Sequence, residues 1–307
     1  MTARYLGLDL GGTNIKFAVV EFSDNKWTVI STDQIPTQAA EGPAHVVSRL
    51  AELAGKHSTG VDGVGVAVPG IFDADKGTIL LFPNLPGPWK DFQIVEPIQI
   101  ASSKPVGIIN DARAFSLAEA VMGAAKGKKT VACLVLGTGV GGGIIIDGKV
   151  HMGSTLGAGE IAHQIVKYDG PLCGCGARGC AEPLTSSAAI SQMAGTSSPE
   201  EAYKKALAGD QKAIHAFEEV GKWLGIAMTN VMAVISPDVF VIGGGVAQSG
   251  DLVLNSMRKQ MEERMHLWPT SVINIVPATL GVYAGAIGAA LNGAIVAGAQ
   301  LSLISTT

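Results

Sequence analysis

The chain has 307 residues, of which 47% are apolar, 16% charged and 5% aromatic, with a net charge of −4. That length leaves room for one large or two medium domains around a sizeable core. The acidic balance argues against a nucleic-acid binder. The opening apolar run, Tyr5 to Leu8, is too short for a signal or membrane anchor, and the four cysteines suit a reducing compartment, so a cytoplasmic protein is expected.

Tyr5 to Leu10 is apolar and β-prone, Gly11-Gly12-Thr13 punctuates it, Ile15 to Phe22 resumes it, and Trp27 to Ile30 adds a third run. This pattern predicts a β-meander with a Gly-rich tip. Ala44 to His57 reads as a helix with Val47, Leu50, Leu53 and Ala54 on one face. Val64 to Val68 and Val106 to Ile109 read as short strands, the first stopped by Pro69-Gly70 and the second ending at Asn110-Asp111, with a helix from Ala112 to Met122. A second meander is predicted from Thr130 to Leu136 and Ile144 to Ile146, joined by a glycine turn over Gly137 to Gly143. Its layout repeats the first, as in an internal duplication.

The second half is richer in helix. Ile214, Phe217, Gly221, Leu224, Met228, Val231 and Ile235 mark one long amphipathic helix, stopped by Pro237. Val239 to Ile242 reads as a strand before Gly243-Gly244-Gly245, Leu252 to Met265 as a helix, and Val272 to Val276 as a strand. No charge occurs from Ile275 to Thr307, but Gly and Ala dominate and no basic cluster flanks the run, so Ala284 to Ala297 reads as a buried helix, not a membrane span. Alternating strands and helices make the class α/β. The domain boundary is expected just after Asp111, giving 1–111 and 112–292.

Three of the four cysteines, Cys173, Cys175 and Cys180, crowd into one Gly-rich stretch, with His163 ten residues before Cys173. Three thiolates and an imidazole suit tetrahedral zinc in a closed structural site. The competing readings are small buried residues or one disulfide with a leftover thiol. Glu160 and Glu182 flank the cluster. Cys133, in an apolar run, reads as core.

Asp9-Leu10-Gly11-Gly12-Thr13-Asn14-Ile15-Lys16 sets a carboxylate at a strand end before glycines and a hydroxyl. Glycine lets backbone amides approach phosphate oxygens, and Asp9 can hold Mg2+. Lys16 either adds positive charge or faces solvent. The run is neither a Walker loop, lacking Gly-Lys-Ser/Thr, nor a dinucleotide fingerprint, which must open a helix. Gly137-Thr138-Gly139 repeats the logic, and Gly243-Gly244-Gly245 follows a buried strand, where a nucleotide lies in open α/β sheets. Each also reads as a plain turn. Asn110-Asp111 is either a helix N-cap or a polar pair whose aspartate accepts a sugar proton. Asn84, in the Pro-rich loop before Trp89, suits hydroxyl recognition or a surface turn.

Together these motifs resemble the ROK family of bacterial sugar kinases and repressors, nearly end to end. The most specific part is Gly159-Glu160-Ile161-Ala162-His163 with Cys173-Gly174-Cys175-Gly176-Ala177-Arg178-Gly179-Cys180-Ala181-Glu182. Within the family the glucokinases are most similar, through Pro83-Asn84-Leu85-Pro86 and the Trp that follows. The resemblance implies an actin-like, hexokinase-type α/β fold of two domains with a central cleft, the final helix (about 293–307) rejoining the first domain. It implies ATP-dependent phosphorylation of a hexose, glucose first, with Asp111 as general base and Asn84, Asn110, Glu160, His163 and Glu182 holding the sugar. It implies that Asp9, Gly11, Gly12, Thr13, Gly137, Thr138 and Gly139 meet the phosphates and Mg2+, that His163, Cys173, Cys175 and Cys180 bind structural Zn2+, and that the chain forms a homodimer or homotetramer. Alternatives are another hexose (fructose, mannose, N-acetylglucosamine, N-acetylmannosamine), polyphosphate as donor, or a sugar-sensing repressor. The repressors carry an N-terminal helix-turn-helix, which this chain, reaching Asp9 so early, is expected to lack. One departure is Ala162, where the family usually has Gly, a methyl expected to bear on the His163 backbone.

Overall fold

The computed structural model of the chain describes residues 2–82 and 85–301. The chain divides into two compact units, one running to Gly127 and resuming at Val282, the other from Lys128 to Gly281. The expected boundary after Asp111 falls short of this division by one helix.

The first unit opens with β1 (Ala3–Leu10), β2 (Asn14–Ser23) and β3 (Lys26–Pro36), an antiparallel meander. Helix α1 (Pro43–His57) starts with proline at its first turn, where no amide partner is lost. It buries Val47, Leu50, Leu53 and Ala54, the stripe the periodicity predicts, and Val46 beside them. Strand β4 (Gly63–Val68) is buried along its whole length and pairs in parallel with β1. A small antiparallel sheet of β5 (Ile71–Asp73), β6 (Thr78–Leu81) and β7 (Phe92–Gln93) follows, then α2 (Val95–Ser102), β8 (Val106–Asn110) and α3 (Asp111–Val121). Among the described residues the main sheet runs β3-β2-β1-β4-β8.

The second unit repeats this plan. Strands β9 (Val131–Leu136), β10 (Val140–Ile146) and β11 (Lys149–Val150) form the meander. Helices α4 (Glu182–Thr185), α5 (Ser187–Ala194), α6 (Pro199–Leu207) and α7 (Gln211–Ile235) precede β12 (Val239–Gly243), α8 (Asp251–Arg264) and β13 (Ile275–Pro277). The sheet order is β11-β10-β9-β12-β13, again a meander followed by two parallel strands. Each sheet has its own core: Leu6, Leu8, Val64, Val66 and Ile98 in the first unit, Leu134, Phe217, Met228 and Phe240 in the second.

Two expected elements shift. The glycine turn ends at Gly139, and Gly141 to Gly143 lie inside β10, paired with Val135, Leu134 and Cys133. A side chain at Gly142 would overlap the Gly159 carbonyl, so the strand needs glycine where the Gly159–Ile161 segment crosses it. The strand expected from Val272 is a 3-10 turn over Thr270–Val272, closed by Val272 N–H on Pro269 O at 3.1 Å, and only Ile275–Pro277 pairs with β12.

The last helix, α9 (Ala284–Val296), joins the first unit and packs on β1, β4, β8 and α3. The helix matches the expected Ala284 to Ala297, but the segment that rejoins the first unit starts at Val282, earlier than the 293 or so that the resemblance implied. No helix among the described residues is long and apolar enough to cross a membrane. The contact is tight: a methyl at Gly65 would overlap the Ala289 carbonyl of α9. Gly65→Ala is therefore expected to lower stability by about 1–3 kcal/mol, because backbone cannot rotate aside. Urea unfolding measures this, and an unchanged midpoint would mean that α9 shifts freely.

Candidate active site and metal centre

The first glycine hairpin joins β1 to β2. Gly11 N–H closes the turn on Asn14 O at 3.1 Å, while Gly12 and Thr13 are exposed and their amides meet no acceptor among the described residues. The second joins β9 to β10, with Gly137 N–H on Gly139 O at 2.9 Å, an exposed Thr138, and the amides of Thr138 and Gly139 likewise open. Open amides at a tight turn suit anionic oxygens. The third cluster differs. Gly243 is buried in β12, Gly244 takes a positive φ of 87° beneath Leu136, and Gly245 leads into a 3-10 turn over Val246–Ser249 before α8.

Asp9 lies near the end of β1, opposite Lys16 on β2. Its carboxyl is pushed up to about 7, first by desolvation and then by the charge of Asp111, with Lys16 opposing. Asp111 opens α3, and its Oδ1 accepts from Ala112 N–H at 2.8 Å. The two carboxylates thus sense each other at the C-terminal ends of β1 and β8. A raised folded-state pKa means that stability contributed by protonated Asp9 is present below about 3.8 and is lost as pH climbs through about 7. Asp9→Asn cannot lose it. In magnesium-free buffer the variant's melting temperature is expected to gain on wild type from pH 5 to pH 8. A difference independent of pH would place this titration elsewhere.

Asn110 is the N-cap of α3. Its Oδ1 accepts from Ala112 N–H (3.1 Å) and Arg113 N–H (3.3 Å), and its Nδ2 donates to Gly70 O at 3.3 Å. The capping alternative is thus realised, and one amide hydrogen remains. Asn84 lies outside the described residues. After it, Trp89 is buried, with its Nε1 donating to Pro86 O at 3.0 Å and its ring 4.7 Å from Phe82.

Glu160 is exposed and precedes a 3-10 turn over Ile161–His163. Ala162 fits that turn without a positive φ, and its methyl is buried in the second unit's core, so the departure from Gly imposes no backbone strain. Glu182 opens α4. Its Oε1 accepts from Val140 N–H at 3.2 Å and its Oε2 from the Cys173 thiol at 3.4 Å, so this carboxylate stands against both the second hairpin and the cysteine cluster. Sequence patterning does not predict that contact, since 42 residues separate Val140 from Glu182.

The four candidate ligand atoms of His163, Cys173, Cys175 and Cys180 lie within 4.8 Å of one another. Cys173 Sγ is 3.6 Å from His163 Nδ1, and Cys175 Sγ is 3.7 Å from Cys180 Sγ. A tetrahedron with Zn–S bonds of about 2.3 Å has edges of about 3.8 Å, so these distances fit zinc with little movement. The cysteines are free, the Cys175 and Cys180 sulfurs standing well beyond the roughly 2 Å of a disulfide bond. Two backbone bonds close the loop: Cys173 N–H donates to Ala177 O at 2.8 Å and Gly176 N–H to Cys173 O at 2.9 Å. Nδ1 faces the sulfurs, so Nε2 is the nitrogen left for another partner.

The duplicated sheets and this cluster place the chain among known proteins. The ROK family model matches residues 5–292. The chain is 31% identical to a glucokinase of Streptomyces coelicolor, over 93% of this chain and 96% of that one. The ROK hexokinase of Thermus thermophilus is 32% identical with a TM-score of 0.82, covering 95% of this chain and 98% of that one. A ROK glucokinase of Streptomyces griseus, solved in complex with glucose and AMPPNP, is 29% identical with a TM-score of 0.78, over 95% and 99%. The fold is the actin-like, two-domain α/β class of these kinases. On its sequence and its architecture, the chain belongs to the ROK family.

Proposed function

We propose that this ROK sugar kinase transfers the γ-phosphoryl group of ATP to a hexose, glucose first, to give the 6-phosphate. The observations that carry this are a glycine hairpin with open amides in each unit and the Asp9–Asp111 carboxylate pair in the first. The likeness to glucokinases, one solved with glucose and AMPPNP, supports glucose as acceptor and ATP as donor. Gly11, Gly12, Thr13, Gly137, Thr138 and Gly139 hold phosphate oxygens through backbone amides and the threonine hydroxyls. Gly244 and Gly245 flank the nucleotide, while Gly243, buried in β12, supports them. Asp9 holds Mg2+, a hard cation suited to carboxylate oxygen, and Lys16 balances its charge. Bound with ATP, Mg2+ neutralises charge building on the phosphates.

Asp111 accepts the proton of the attacking hydroxyl. Glu160 and Glu182 accept from sugar hydroxyls, and Asn84 and the remaining Asn110 hydrogen complete the recognition. His163 meets the sugar through Nε2, its ring plane fixed by the cluster. Zinc bound by His163, Cys173, Cys175 and Cys180 supplies structural order only, because four protein ligands leave no open position. The resemblance further supports a homodimer or homotetramer in the cytoplasm.

A coupled ADP-release assay over glucose, mannose, fructose, N-acetylglucosamine and N-acetylmannosamine tests the proposal. The highest kcat/KM is expected for glucose. A higher value for another sugar reassigns the acceptor, and no turnover with ATP removes the kinase reading.

A further inference from the structure

Each glycine hairpin is held by a hydroxyl from outside it. Thr37 Oγ1 donates to Gly11 O at 2.6 Å, and Thr37 N–H donates to Thr13 O at 2.8 Å. Ser187 Oγ donates to Gly137 O at 2.5 Å, and Ser187 N–H reaches the same carbonyl at 2.9 Å. Both hydroxyls land on the corresponding atom, the carbonyl of the first glycine in the turn. Yet they come from unrelated places. Thr37 follows β3 and is fully buried, whereas Ser187 opens α5, 50 residues from its partner. Duplication of a strand–turn–strand unit does not carry such a contact along, because the hydroxyl is supplied from a different segment in each half.

The planar peptide explains why that carbonyl matters. In a trans peptide the C=O of one residue and the N–H of the next lie in one plane and point opposite ways. Holding Gly11 O therefore aims the N–H of Gly12, and holding Gly137 O aims the N–H of Thr138. These amides are among those each turn leaves open. A donor fixed in advance needs no reorganisation when an anionic oxygen arrives. A Gly-rich turn without the pin would lose that aim, since glycine has the widest backbone freedom.

We infer that Thr37 and Ser187 are positioning residues for the nucleotide phosphates, each aiming one backbone amide through the carbonyl it pins. This rests on the hairpins being the nucleotide sites, as proposed above. Neither residue touches the reacting atoms, so neither is a catalytic residue.

The test pairs Thr37→Val and Ser187→Ala with the hydroxyl-retaining Thr37→Ser and Ser187→Thr. Calorimetry with Mg2+–AMPPNP is expected to show each hydroxyl-less variant binding about 3- to 10-fold more weakly, the scale of one neutral hydrogen bond. Glucose affinity and melting temperature stay near wild type, KM for ATP rises more than kcat falls, and the hydroxyl-retaining variants recover. Nucleotide and sugar affinity falling together with melting temperature would reduce both pins to fold stability and overturn the inference. Amide spectra of 15N-labelled wild type, with and without Mg2+–AMPPNP, separate the remaining failures. Shifts at Gly12 and Thr138 with unchanged affinity in the variants would overturn the pins and leave the nucleotide sites standing. No shift at either amide would overturn both.

Discussion

Replacing Asp111 by Asn is expected to lower kcat by about 10²- to 10⁴-fold, the usual worth of a general base, while glucose affinity changes little. The substitution keeps the shape, and the amide oxygen can still accept from Ala112 N–H, as Oδ1 does at 2.8 Å. The α3 cap is untouched, because Asn110 makes it. What is lost is the ability to take a proton from the hydroxyl as phosphoryl transfer proceeds. A second readout follows from the neighbouring carboxylate. The charge of Asp111 is the second cause raising the Asp9 pKa after burial, so Asp111→Asn should move the Asp9 titration down from about 7. Single-turnover kinetics and calorimetry with glucose check the first effect, and a pH-resolved melting series the second. A variant keeping more than about half its kcat would put the proton acceptor elsewhere.

The strongest local signals in the sequence proved to be those with two independent causes. Helix α7 combined unbroken periodicity with a stop at Pro237, and it forms over Gln211–Ile235, with Asp210 as its N-cap. Helices α5 and α6, at 8 and 9 residues, are too short to sustain a helical period in the sequence, although Ser186 and Ser198 cap them and Pro199 opens the second. Strands β5 to β7 are too short to show alternation, and β6 exposes Leu80 and Leu81. Glycines misled in β10, because Gly141 to Gly143 look like a turn until the Gly159–Ile161 segment is seen to cross them. Of the candidate site, the Cys3His cluster was legible because its members sit close along the chain and metal chemistry restricts their spacing. The grip on the hairpins was not. Thr37, Glu182 and Ser187 reach carbonyls and amides 26, 42 and 50 residues away, and nothing local distinguishes them from other hydroxyls and carboxylates.

Removing the metal is expected to cost sugar binding first. One zinc per chain should be found by elemental analysis, given ligand atoms already spaced near the edges of its tetrahedron. Uptake should release protons and strengthen with pH, because burial pushes the Cys173 thiol up to about 12 and raises that of Cys180, and both must ionise to bind. Chelation frees the His163 ring together with the Cys180 end of the loop, two residues before Glu182 opens α4. Each sugar contact so lost, at His163 and at Glu182, is worth about 1.5–3 kcal/mol if charge-assisted, or at least about tenfold in affinity. KM for glucose should therefore rise at least about tenfold if one contact is lost and at least about 100-fold if both are. KM for ATP should rise less, since Glu182 supports only Val140 N–H while Ser187 still holds Gly137. Cys175→Ser should reproduce both changes and lower the melting temperature. The first unit's core should stay intact, because none of the ligands belongs to it. Metal-free protein with wild-type KM for both substrates would remove the cluster's ligand assignment and its role in ordering His163 and Glu182.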